Sequence, residues 1–168
     1  MPLKTLGFIV LMVLLAASGC KRQNETAGSP NHWAEGSLAS VASGHYDDQD
    51  QRVEYKGKWW SDHQFPQSSG QSITYSDKPG DTFRISFNGS AITYVFTRAL
   101  NRGIAEAKID GGSAVRINQY SGPTQWQEKQ RFGGLSPGAH TLEVRVSGDK
   151  DPASSGLFVD LDAFEVEP

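Results

Sequence analysis

The chain has 168 residues, of which 37% are hydrophobic and 21% are charged, and its formal net charge is −3. This length accommodates one domain with a substantial hydrophobic core. The mild acidity argues against nucleic acid as a partner, because neutralising phosphates requires clustered lysine and arginine. The single cysteine excludes an intramolecular disulfide.

The N-terminal segment contains a positively charged residue that is followed by a short apolar run. Lys4 precedes the segment LGFIVLMVLLAA, which is shorter than a comfortable bilayer span. The small residues Ala-Ser-Gly at 17–19 stand directly before Cys20. This arrangement resembles the lipobox of bacterial lipoproteins. A plain signal peptide with a chance cysteine nearby is the alternative.

The lipobox resemblance implies that residues 1–19 are a signal peptide that is removed, and that Cys20 carries a diacylglycerol and an acylated amino terminus. Several acyl chains give stable membrane anchoring. The expected location is therefore the cell envelope, with the lipid bilayer as partner through acylated Cys20. Lys21, in place of an aspartate, fits outer-membrane sorting if the host is diderm.

Two further regions follow the expected signal peptide. Residues 20–46 are polar and rich in Ser, Gly and Ala, which predicts a flexible tether. Residues 47–168 form the predicted domain, in which apolar and polar residues alternate with a period of two. Turn sequences rich in glycine and proline separate segments such as DTFRISF, AITYVFTR, IAEAKID and HTLEVRVSG. We expect an all-β, antiparallel β-sandwich or jelly roll of about nine strands.

Three phrases of this domain resemble a known family. They are GIAEAKIDG, LSPGAHTLEV and DLDAFEV, in this order, within a series that begins at YDDQDQRVEYKGKW. The series resembles the galactose-binding-domain-like jelly rolls of secreted and cell-surface proteins of bacteria and fungi. The resemblance implies a β-sandwich that often serves as a carbohydrate-binding module. It does not determine the ligand, because the fold also hosts spacers and adhesion domains.

No sequence motif for catalysis is present. The chain has no G-x-S-x-G, no H-E-x-x-H and no P-loop, and its four histidines do not have the spacing of metal ligands. Such jelly rolls are commonly appended to enzymes, whereas this chain contains no catalytic partner. We therefore expect that the protein is not an enzyme and has no cofactor.

Adjacent Trp59 and Trp60 are the sharpest candidate feature for binding. Aromatic rings stack on the C–H faces of sugars, while planar polar groups bond the hydroxyls. Neighbours on a strand point to opposite faces, so one ring can be buried while the other is exposed. The family resemblance assigns the structural role to Trp59, which makes Trp60 the candidate ligand-stacking ring. The alternative is a rim residue that packs on the tether.

Loops supply four further candidate residues for carbohydrate binding. Arg98 and Arg102 lie in TRALNRG, Tyr120 in NQYSGPTQW and Lys150 in GDKDPASSG. The arginines could instead form salt bridges with nearby acids, and Tyr120 could be a core residue. We hypothesise that these loops meet at one end of the sandwich.

An acidic run precedes the first predicted strand. Some sandwich lectin modules hold a structural calcium where the first and last strands meet, and Asp48, Glu54 and Asp162 could supply oxygen ligands for it. We favour a solvated acidic run without metal.

These expectations combine into one functional hypothesis with two alternatives. The hypothesis is a membrane-anchored lipoprotein that displays a non-catalytic carbohydrate-binding jelly roll. The first alternative is a structural or adhesion lipoprotein of the envelope that binds a protein partner. The second is an accessory subunit of a separately encoded enzyme.

Overall fold

The computed structural model describes residues 39–168. The predicted signal segment 1–19, the lipidation site Cys20 and the tether as far as residue 38 lie outside the described residues. Within 39–168, no helix has both the length and the apolar character needed to span a membrane.

Ten β-strands and one 3₁₀ turn make up the regular structure of the described residues. The strands are β1 (Gly44–Asp47), β2 (Val53–Lys56), β3 (Trp60–Asp62), β4 (Ile73–Ser76), β5 (Thr82–Arg98), β6 (Ile104–Ile109), β7 (Val115–Asn118), β8 (Gln125–Val146), β9 (Val159–Leu161) and β10 (Ala163–Glu167). The 3₁₀ turn is Ser69–Gln71. The predicted all-β class is confirmed.

The strands form two antiparallel sheets. The larger has seven strands in the order β1-β10-β5-β8-β6-β7, with β2 also paired to β5. The smaller has three strands in the order β3-β4-β9. Inward-facing apolar residues of both sheets share one core, which makes the domain a β-sandwich of the jelly-roll type.

The long strand β5 organises the larger sheet. Its first half pairs with β2 and its second half with β10, while β8 pairs along its whole length. A register shift between Gly89 and Ala91 separates the halves. A Cβ atom at residue 89 would lie 2.1 Å from the carbonyl oxygen of Glu167, so this close approach of two backbones requires glycine.

The core consists of the apolar residues that alternation places on the inner faces. Its largest fully buried apolar side chains are Tyr94, Phe83, Phe87, Phe164, Ile73, Ile85, Ile92, Leu142 and Leu161. Most of these residues lie in the segments whose period-two pattern predicted strands.

The domain begins earlier than the predicted boundary at Asp47. Val41 is fully buried, donates its N–H to Ser86 and accepts the N–H of Asn88. β1 begins at Gly44 and pairs with β10. The C-terminal part of the predicted tether is therefore part of the sandwich, because its backbone completes the hydrogen bonding of the larger sheet.

Candidate functional site

One face of the smaller sheet carries a row of aromatic and charged residues. Trp60 of β3 lies directly opposite Tyr75 of β4 in the antiparallel register. Asp77 and Phe158, which directly adjoin β4 and β9, lie beside these two rings, and Lys58 lies over the ring of Trp60. Pairing of three short strands therefore gathers residues that are far apart in the chain.

The aromatic residues of this face line a shallow cleft. The rings of Trp60 and Tyr75 stack, with centroids 6.1 Å apart and an interplanar angle of 27°. The ring of Phe158 meets Tyr75 edge-on, with centroids 5.6 Å apart. Together with Asp77 and Lys78, these rings line an open cleft of about 300 Å³, which we call the aromatic cleft.

Two lysines lie against the ring of Trp60. The Nζ atoms of Lys58 and Lys78 are 5.1 Å and 5.9 Å from the ring centroid, within cation–π range. Lys78 also forms a salt bridge of 3.0 Å with Asp77. The cleft therefore combines apolar ring surface with hydrogen-bond donors and one carboxylate.

Asp81 positions the strand that carries Trp60. Its carboxylate accepts the N–H of Lys58 at 2.8 Å and the hydroxyl of Ser76 at 2.7 Å. Gly57, with a φ of 103°, precedes this contact, and a Cβ atom there would lie 2.0 Å from the Asp81 carboxylate. Glycine is required at this position by both its backbone conformation and the close carboxylate.

The two adjacent tryptophans point to opposite sides. Trp59 packs on the core against Tyr55 and Phe83, at centroid distances of 5.2 Å and 5.7 Å. Its indole N–H donates to the carbonyl oxygen of Lys56. Trp59 is thus structural and Trp60 faces the cleft, as the alternation of neighbours on a strand predicts.

The candidate loops do meet at one end of the sandwich. Residues 99–103 bond both to residues 119–121 and to residues 147–158. The contacts include Ser121 N–H to the Ala99 carbonyl at 3.2 Å and Ser154 hydroxyl to the Arg102 carbonyl at 2.7 Å. Phe158 ends the last of these loops, so the loop cluster adjoins the aromatic cleft.

Arg102 does not fit the expected ligand-binding role. It is 8% exposed, and its Nε and Nη2 donate to Asp160 at 3.0 Å and 2.6 Å. Asp160 is itself fully buried and also accepts the N–H of Thr97. The guanidinium therefore neutralises a buried acid, which was the alternative that the sequence left open.

The remaining loop candidates lie outside the aromatic cleft. Arg98 is half-buried and lies 4.0 Å from Glu128. Tyr120 is half-buried beside Ala99, and Lys150 is exposed. Among the five binding residues proposed from the sequence, Trp60 alone lines the aromatic cleft.

Sequence reasoning missed two residues of the aromatic cleft and one lysine beside it, and all three have usable signals. Tyr75 and Asp77 alternate in the segment TYSD, and Lys58 is two residues before Trp60. This period of two could have placed them on exposed faces. Nothing local indicates the contact between Tyr75 and Phe158, because it depends on the pairing of β4 with β9.

Two of the residues proposed as calcium ligands are engaged in other contacts. Glu54 forms a salt bridge of 2.8 Å with Arg84. The carboxylate of Asp48 accepts hydrogen bonds from Ser72, Thr74 and Gln49, so its oxygens already have donors. Residues 39–168 contain no group of three or more His, Cys, Asp or Glu side chains arranged to hold a metal ion.

Buried acids, rather than a solvated acidic run, occupy this region. Burial raises the pKa of Asp48 to about 6, although three hydrogen-bond donors oppose the shift. Burial also raises the pKa of Asp162 to about 7, and neighbouring aspartates add to the shift. One oxygen of Asp162 accepts the N–H of Ser69 at 2.7 Å, and the other is buried without a hydrogen-bond partner.

Ser69, His45 and Glu165 form a surface cluster in which the histidine lies between a serine and an acid, as in a catalytic triad. The hydroxyl of Ser69 lies 3.0 Å from Nε2 of His45, and Nδ1 of His45 lies 3.5 Å from Glu165. The second distance is too long for a good hydrogen bond, and Lys129 holds the same Glu165 oxygen at 2.8 Å. The Ser69 N–H is already donated to Asp162, so this backbone donor is not available to an oxyanion.

Comparison with known sequences finds one partial relative. No family model matches the chain. A type blood N-acetyl-α-D-galactosamine deacetylase from Flavonifractor plautii is 30% identical over 98 residues, which cover 58% of this chain and 13% of that enzyme. The chain therefore spans a small part of the relative's length.

Solved structures share the fold at low sequence identity. A xanthan lyase from Paenibacillus matches 78% of this chain and 14% of its own, with a TM-score of 0.59 and 15% identity. A two-domain esterase active on acetylated mannans matches 86% of this chain and 42% of its own, with a TM-score of 0.57 and 18% identity. These likenesses support the jelly-roll assignment. In both solved structures the matching unit is one part of a longer chain.

Proposed function

We propose that this protein is a membrane-anchored lipoprotein whose β-sandwich binds carbohydrate without acting on it. The aromatic cleft carries the proposal. Trp60, Tyr75 and Phe158 offer apolar ring surface to the C–H face of a sugar. Lys58, Lys78 and Asp77 offer polar groups to its hydroxyls. A cleft with a few convergent polar groups fits a small ring better than a flat protein surface.

The relatives support carbohydrate as the ligand class. The partial relative is named for the deacetylation of N-acetyl-galactosamine, and the structural neighbours include enzymes that act on xanthan and on acetylated mannans. In each case the likeness covers a fraction of a larger protein. A module of this kind can supply binding while another part of the larger protein supplies catalysis.

The cluster of Ser69, His45 and Glu165 is the specific observation that favours a second candidate, a hydrolase. The side chain of His45 is 55% exposed, and two buried acids of this region have raised pKa values. Asp162, which accepts the Ser69 N–H, would in its ionised form oppose the negative charge of a tetrahedral intermediate. We therefore propose the non-catalytic role.

Binding is tested with the full chain in a detergent that lacks a sugar headgroup, screened against a glycan array. We expect selective binding that Trp60→Ala weakens by roughly 30-fold, because removing a central aromatic anchor costs about 2 kcal/mol. Trp126→Ala is the matched control, because Trp126 packs on Phe65 at 5.3 Å and lies on β8 of the other sheet. Equal losses in both variants, or no glycan binding by the folded chain, would overturn the proposal.

The anchor is tested separately by metabolic labelling with palmitate in a bacterial host. We expect label on the chain and its recovery in the membrane fraction, and loss of the label in Cys20→Ser. Absence of label on the parent chain, or equal label on Cys20→Ser, would contradict lipidation of this residue.

A further inference from the structure

Two ammonium groups lie beside the main stacking ring of the aromatic cleft. Lys58 and Lys78 place their Nζ atoms 5.1 Å and 5.9 Å from the Trp60 centroid. Both therefore lie within the space that a sugar stacked on this ring would enter or border. The ligand must either displace these ammonium groups or bond to them.

The two lysines beside Trp60 differ in their ion pairing. Lys78 is paired with Asp77, whereas the described residues provide no salt bridge to the Lys58 ammonium. The Lys58 ammonium is therefore a cation at the edge of Trp60 that no salt bridge of the described residues includes. A cation in this position attracts anionic ligands.

The position of Lys58 is set by the fold rather than by a flexible loop. Its N–H is held by the Asp81 carboxylate at 2.8 Å, and the required Gly57 immediately precedes it. The lysine stem therefore starts from a defined point at the edge of Trp60, while its flexible four-carbon chain lets the ammonium move from the ring to a ligand.

From the Lys58 ammonium that stands beside the Trp60 ring without a salt bridge, we propose that the ligand is a glycan that carries an anionic group, either a uronate carboxylate or a sulfate ester. The ring of Trp60 stacks on the sugar, and the anionic group accepts hydrogen bonds from Lys58 and Lys78. Charge-assisted hydrogen bonds of this kind are stronger than bonds to neutral hydroxyls. This inference rests on the proposed carbohydrate-binding function and specifies its ligand class.

The test compares matched polysaccharides with the full chain in a detergent without a sugar headgroup. Dextran sulfate is paired with dextran, and polygalacturonate with its methyl ester, which separates sulfate from carboxylate recognition. We expect affinity for at least one anionic polymer to exceed that for its neutral counterpart by about tenfold, and to fall as salt is added. The double variant Lys58→Gln, Lys78→Gln should reduce binding to the neutral level.

A charge-matched control excludes non-specific attraction. Lys108→Gln, Lys129→Gln removes the same charge from β6 and β8 of the larger sheet and should retain anionic binding. Equal affinity for neutral and anionic polymers, or equal losses in both double variants, would overturn the inference and leave carbohydrate binding intact. Absence of binding to all four polymers and to the glycan array, by a chain shown to be folded by thermal unfolding, would overturn both proposals.

Discussion

The guanidinium of Arg102 lies 2.6 Å from the carboxylate of Asp160, and both side chains are buried. Removing the cation leaves an acid without a charged partner inside the sandwich. We expect Arg102→Ala to lower the free energy of unfolding by about 3–5 kcal/mol, measured by urea denaturation. Arg98→Ala is the matched control and should cost about 0–1 kcal/mol, because Arg98 is more exposed and 4.0 Å from Glu128.

Glycan binding by the same variant distinguishes the two roles of Arg102. A folded Arg102→Ala chain with unchanged stability and abolished binding would contradict the structural role and restore Arg102 as a ligand-binding residue.

The buried acids predict that stability falls as pH rises. The pKa values of Asp48 and Asp162 are raised from 3.8 to about 6 and about 7, so the folded state favours their protonated forms. Their contribution is fully present below about pH 4 and is lost as the pH rises through 6 and 7. We expect the free energy of unfolding to be about 1–3 kcal/mol larger at pH 5 than at pH 8.

Asp162→Asn tests the source of this pH dependence. The amide oxygen can still accept the N–H of Ser69, while the charge is removed. The variant should have a weaker pH dependence than the parent chain between pH 5 and pH 8. Measurements with calcium and with a chelator form the control, because a rise in stability with calcium would show that the folded chain binds the ion.

Val41 should contribute to stability like a core residue. It is fully buried and its backbone bonds to Ser86 and Asn88. We expect Val41→Ala to cost about 1–3 kcal/mol through lost burial and the cavity it leaves. Val115→Ala, at a position that is 42% exposed, should change stability by less than about 0.5 kcal/mol. Similar effects of the two changes would show that Val41 is not docked in the core.

The triad-like cluster should not catalyse ester hydrolysis. Hydrolysis of p-nitrophenyl acetate by the chain should match that by Ser69→Ala and His45→Ala, because a backbone donor near Ser69 is already in use and Glu165 is bonded to Lys129. A rate for the parent chain that clearly exceeds both variants would instead favour the hydrolase.

Local alternation was sufficient to predict the class of fold but not the smaller sheet. DTFRISF, AITYVFTR and HTLEVRVSG correspond to long paired regions of β5 and β8, where the period of two extends over many residues. Strands β3 and β9 have three residues each, too few to show a reliable period. The aromatic cleft depends on the pairing of these short strands, so the contact of Phe158 with Tyr75 could not be predicted from the local sequence.

The other differences arise from long-range contacts. The segment around Val41 has the small polar residues of a linker, and only its pairing with β5 makes it part of the domain. Arg102 and Asp160 are both polar residues that sequence reasoning places outside the core, and their burial depends on their mutual neutralisation. Proximity of this kind is determined by topology, which the local sequence does not report.

The position of β10 between β1 and β5 also constrains when the domain can form during synthesis. β1 has its hydrogen-bonded neighbour at the opposite end of the described chain, so the two must meet across a large sequence separation. Such non-local pairing is slow, and a nascent chain that still lacks residues 163–167 has an open sheet. The larger sheet can therefore be completed only after β10 has been synthesised, which leaves time for other cellular machinery to engage the chain.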